Sequence, residues 1–150
     1  MNICRVIAPV IWLSLVGFAP TAFAEQDAPV DPATLDGADG ALPAFAYDGI
    51  ARVSLVSTAA EICSGITARD RPLKSAAADV FKDLAAEGID PTGSVLHFET
   101  DFAKYQINLR ADQFRAKYGL GEVLDAAFCQ AVKAEAKQDR SLRKLVKIKR

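Results

Sequence analysis

Few side chains in this chain are spaced for chemistry. His97 is the only histidine among 150 residues, and Asp101 follows it by four positions. On a continuous helix, residues four apart share a face, so the two could hold one edge of a metal ion. A zinc site draws on three or four ligands, and Glu99 would point elsewhere on such a helix. The pair therefore reads as a surface His–Asp contact, and no metal or other cofactor is expected. Three cysteines occur, at Cys4, Cys63 and Cys129. The last two are not a C-x-x-C redox motif, and distant cysteines in exported domains are usually structural. No Ser-His-Asp or Cys-His nucleophile arrangement can be drawn around one histidine and bonded cysteines. Gly119-Leu120-Gly121 and Gly88 do not make a phosphate-binding loop. Glu61, Asp79, Asp83 and Glu87 are carboxylates of the kind that solvated helix faces carry, and an enzyme is not expected. Two features could bind without catalysing. Arg69 and Arg71 flank Asp70 near Cys63 and could take an anion. The C-terminal run of Arg143, Lys144, Lys147, Lys149 and Arg150 could meet an anionic surface.

The elements that position these residues follow from the head of the chain onward. Residues 1–24 carry one charge, Arg5, ahead of an apolar run from Val6 to Phe18, and close on Ala22-Phe23-Ala24. That is the pattern of a secretory signal cleaved before Glu25. The expected location is therefore periplasmic or secreted, with no transmembrane span left after cleavage. Cys4 would leave with the signal. Cys63 and Cys129 remain, and an even pair in an exported protein reads as a disulfide. Losing Arg5 leaves 17 bases and 19 acids, a net charge of −2. Residues 25–45 hold five acids, no base, three prolines and two glycines, and show no apolar periodicity, so they read as a flexible acidic leader.

The helical domain is expected over 46–140, in four segments punctuated by proline at helix starts and glycine at helix ends. The first runs from about Tyr47 to Ser64 and the second from about Arg71 to Glu87. The third is a single long helix from Ser94 to Lys117. On it Val95, Phe98, Phe102, Tyr105 and Leu109 form a seam at spacings of 3 and 4. Leu96, Ile107 and Phe114 form a second stripe. The seam reads as core, with Phe102 buried mid-helix; its alternative is the lining of a ligand cleft. The fourth segment runs from about Gly121 to Lys137. A basic tail over 141–150 follows, in which Ser141 could cap a short helix. No strand-turn-strand pattern appears. The fold expected is all-α: a small four-helix bundle or helical array with one disulfide, behind a signal peptide and a disordered acidic leader.

Glu61, Cys63, Ile66, Ala68 and Arg69, then Leu84-Ala85 and Gly88, then Phe128-Cys129 and Glu135 resemble a family of small exported alphaproteobacterial proteins of unknown function. The resemblance covers roughly residues 47–146. It implies an all-helical domain with a paired cysteine, and it brings no activity, substrate or catalytic residue. The leader and the basic tail are particular to this sequence.

The expected role is a small exported interaction protein of the cell envelope, without catalysis. The alternative is a binder of a small apolar or anionic ligand between helices, and an envelope enzyme comes third. Partners would be an envelope protein or the anionic envelope surface. Nucleic acid is a poor candidate for an exported chain. The tail carries seven bases against Asp139 over 137–150; it is expected to meet an anionic surface rather than fold onto the acidic leader, and the alternative is a solvated run that only keeps the protein soluble.

Overall fold

The computed structural model describes residues 30–149. The expected signal segment, the first residues of the expected leader and Arg150 lie outside them. The compact unit begins at Asp31, so it takes in part of the acidic leader as well as the basic tail.

The fold is all-α, with one two-stranded ribbon. Helix α1 spans Ala44–Ile62, α2 Asp70–Ala86, α3 Pro91–His97, α4 Asp101–Tyr118, α5 Ala126–Gln138 and α6 Arg140–Leu145. Strands β1 (Ile66–Ala68) and β2 (Val146–Ile148) pair antiparallel, with Ile66 opposite Ile148 and Ala68 opposite Val146. Two 3₁₀ turns, Pro32–Thr34 and Ala38–Gly40, precede α1.

Helix α1 is the centre. Its apolar residues are spread around the helix rather than gathered on one face, and it packs against α2, α4, α5, α6 and β1. It approaches α2 closely at Gly49, where a Cβ would collide with Val80 Cγ2. Two core clusters result. One joins Val56 and Ala59 of α1 and Cys63 just beyond it to Phe128, Val132 and Ala136 of α5 and to Leu142, Leu145 and Val146. The other gathers Ala46, Val80 and Leu84 with Phe81, Ile89 and Phe98. The Cys63–Cys129 disulfide forms, with 5.7 Å between Cα atoms, and ties the end of α1 to α5.

Several expectations need correction. The long third helix is two helices. Thr100 leaves helical geometry at ψ 157°, accepts the Ala103 N–H and donates to the His97 carbonyl. It is a local N-cap, worth on the order of 1 kcal/mol, lying inside an apolar pattern that runs on regardless. The break puts Phe102 in the first turn of α4, where it is only partly buried, and leaves Leu96 at 65% exposure rather than in a stripe. The fourth helix starts later than expected, because Asp125 caps it by accepting from Ala127 and Phe128. Gly88 and Gly119 do end helices at positive φ; Gly65 does not, since Cys63 is already extended.

The ribbon was not expected. Its strands are three residues each and come from opposite ends of the domain, so no local pattern announces them. The hydrogen bonds Arg69 N–H to the Leu145 carbonyl (2.8 Å) and Lys149 N–H to the Gly65 carbonyl (3.0 Å) extend it. Residues 141–149 are therefore part of the domain rather than a free tail. Asp139, not Ser141, caps α6. Part of the leader is also folded: the Phe102 N–H donates to the Asp36 carbonyl (3.0 Å), and Gly37, at φ 84°, sits against Thr100.

Candidate functional site

The break at Thr100 turns His97 inward. It is 9% exposed, and its Nε2 lies 2.6 Å from the Tyr47 hydroxyl. That hydroxyl also accepts the Leu42 N–H at 2.9 Å. Phe98 and Phe102 close edge-on around Tyr47, with Phe81 beyond them. Burial lowers the His97 pKa and raises that of Tyr47. Both are therefore neutral near pH 7, the state in which one hydrogen bond can link them. The surface His97–Asp101 contact is thus absent: Asp101 is exposed and meets Lys104 at 3.4 Å. Only the aromatic middle of the seam packs, with Phe98 and Phe102 edge-on to Tyr47; Val95 and Leu109 at its two ends are 50% and 37% exposed rather than core.

Among the described residues, an opening lies on another face of α4. A groove of about 640 Å³ runs between α1, α4 and the α5–α6 corner. Its floor is apolar: Ala51 and Leu55 of α1, Ile107 and Phe114 of α4, Phe128 of α5 and Leu142 of α6. Ile107 and Phe114 belong to the second stripe seen in the sequence; the opposing wall is supplied by residues far away in the chain. The volume lies within the ~300–1,000 Å³ common for binding sites.

The rim is charged and mutually satisfied. Arg110 Nε meets Asp48 at 2.6 Å, its Nη1 donates to the Gln106 carbonyl and side chain, and its guanidinium covers the Tyr47 ring. Glu135 accepts from Lys117 at 2.5 Å and from the Tyr118 hydroxyl at 2.7 Å. Burial pushes the Glu135 carboxyl upward, but these two donors outweigh it and hold it below its ordinary value. The hydrogen bond to Glu135 in turn raises Lys117. Arg52 and Asp139, 3.7 Å apart, are the loosest pair on the rim. Such a site offers apolar contact framed by both signs of charge. Its polar groups hold one another rather than standing ready as acid, base or nucleophile.

The residues singled out in the sequence divide three ways. Cys63 and Cys129 are bonded to each other. Arg69 and Arg71 sit at the join of β1 and α2, exposed, and outside the groove. Arg143, Lys144, Lys147 and Lys149 are exposed, while Leu142, Leu145 and Val146 between them are buried, so those three cannot also serve a surface. Among the described residues, none of these six bases forms an ion pair. No three His, Cys, Asp or Glu residues among those described are grouped to hold a metal ion, and no described helix is long and apolar enough to cross a membrane. The Tyr47–His97 contact and the Lys117–Glu135–Tyr118 cluster had no sequence signal beyond residue type.

No protein-family model, curated protein or solved structure matches the chain.

Proposed function

We propose that this protein is a small exported interaction protein of the cell envelope, acting in the periplasm or outside the cell by binding rather than catalysis. The groove between α1, α4 and α5 receives a segment of an envelope partner. The observation that carries this reading is the open apolar floor beside a rim whose charges are already paired. The resemblance to small exported proteins, the signal-like first 24 residues and a disulfide of the kind oxidising compartments favour all support it.

Ala111 lines the groove and is exposed, so Ala111→Trp fills the opening without disturbing the core. The matched control is Ala78→Trp on the exposed face of α2. The wild-type chain and the control should capture the same envelope protein through crosslinks at groove residues, and Ala111→Trp should lose it. Equal capture by all three would remove the groove from the proposal. A second reading rests on the groove's volume: a small amphipathic ligand could fill it. Native mass spectrometry of the isolated chain, showing a bound small molecule that Ala111→Trp expels, would favour that reading.

A further inference from the structure

The ribbon brings together two basic stretches that lie far apart in the sequence. Residues 65–74 contribute Arg69, Arg71 and Lys74 against Asp70 alone. Residues 143–149 contribute Arg143, Lys144, Lys147 and Lys149 with no acid. Antiparallel register sets Thr67 opposite Lys147, on the face of the ribbon away from the buried Ile66 and Val146. The bond from Arg69 to the Leu145 carbonyl fastens the start of α2 beside the end of α6. From α5, the Lys133 ammonium reaches Gly65, 3.1 Å from where a Cβ would stand. All seven bases of the two stretches are exposed.

The described residues hold 16 bases and 17 acids, a net −1. The two stretches carry +6 between them, which leaves −7 on the rest. Acids outnumber bases at the other end of α2, a helix of 17 residues and so roughly 25 Å long, even with Lys82 and Lys104 counted. Asp83, Glu87 and Asp90 lie there; Glu99 and Asp101 follow at the α3–α4 junction, where Asp36 is bonded to Phe102. The molecule is electrically polar along α2. Bases crowded at one end repel one another, and an anionic surface relieves that repulsion.

We propose that the ribbon end is a docking face for an anionic phospholipid bilayer, with the acidic end held away from the membrane. Attachment is peripheral and electrostatic, because the apolar residues of the stretch are committed to the core and cannot insert. Neither basic stretch contains an aromatic side chain on which bases could stack, which argues against single-stranded nucleic acid. This inference is independent of the groove, and Ala111→Trp should leave it untouched.

The test uses the chain from Glu25, which retains the whole compact unit. It is co-sedimented with phosphatidylcholine vesicles alone or with about 30 mol% phosphatidylglycerol added, across salt from about 50 to about 300 mM. Binding should require the anionic lipid and fall steeply as salt rises. Each base near such a surface strengthens binding on the order of fivefold, so the double variant Lys144→Glu/Lys147→Glu should weaken it by roughly 25-fold or more. Lys82→Glu/Lys104→Glu makes the same change in net charge at the acidic end and should have a far smaller effect. Equal sedimentation with neutral vesicles, no response to salt, or equal loss in both double variants would overturn the proposal. So would tighter binding to a single-stranded oligonucleotide than to vesicles, or salt-sensitive head-to-tail self-association that removes vesicle binding.

Discussion

Leu142→Ala tests whether the basic C-terminal stretch is part of the core. Leu142 is 1% exposed and belongs to the cluster of Val56, Phe128 and Val132. The substitution removes three carbons from that cluster, about 2.4 kcal/mol of transfer free energy at ~0.8 kcal/mol per group. An unrelaxed void adds to this, and buried Leu→Ala changes span roughly 2.7–5.0 kcal/mol. Leu142 also borders the groove, so Phe128 can relax toward the gap, and a value near the lower end, about 3 kcal/mol, is expected. For a domain of this size each kcal/mol shifts Tm by roughly 3–6 °C, so the melting midpoint should fall by roughly 10–15 °C. The assay is thermal unfolding followed by far-ultraviolet circular dichroism with the disulfide intact. Lys144→Ala, two residues on and exposed, is the control and should stay within about 0.5 kcal/mol of wild type. A Leu142→Ala midpoint indistinguishable from that control would refute the placement of α6 in the core. For the same reason, a chain ending at Asp139 should fail to fold, which makes charge reversal the proper probe of the basic end.

Three further outcomes are expected. Reduction of the Cys63–Cys129 bond, which spans a sequence separation of 66, should cost about 4 kcal/mol on the chain-entropy estimate; thiol labelling of both cysteines in natively isolated protein would contradict the bond. Gly37→Ala imposes a left-handed backbone on a residue with a Cβ and drives that atom to within 2.7 Å of Thr100 Oγ1. The cost should be about 2 kcal/mol, with faster amide exchange over 31–40, and unchanged exchange would show that the contact is not kept. Stability should fall on both sides of neutrality. The folded His97 pKa is lowered, so its contribution is complete above the unfolded value of 6.5 and is lost as pH falls through the folded pKa. The Tyr47 pKa is raised, so its contribution is complete below 10.0 and is lost as pH rises through the folded pKa. His97→Gln should flatten chiefly the acid limb and Tyr47→Phe chiefly the alkaline one, read from urea midpoints; acid limbs that stay parallel for wild type and His97→Gln would remove His97 as the cause.

The sequence by itself determined the helical class, because apolar spacing, Asp90-Pro91, Gly88 and Gly119 all act within a few residues of where they stand. It also determined the cysteine pairing, since only two cysteines remain beyond the signal-like segment, and the segregation of charge, which is a matter of counting. Only the tertiary structure decided the rest. The seam from Val95 to Leu109 keeps helical spacing across Thr100, so periodicity could not show that a cap divides it and turns His97 onto Tyr47. A three-residue strand carries no period of its own; β1 and β2 exist because each satisfies the other's backbone groups once α1, α2 and α6 have packed. The groove needs α1 and α5 opposite α4, and the basic end needs Arg69 beside Leu145. Contacts between residues so distant in the chain are fixed by burial and hydrogen bonding of the whole domain, and no window of sequence contains both partners.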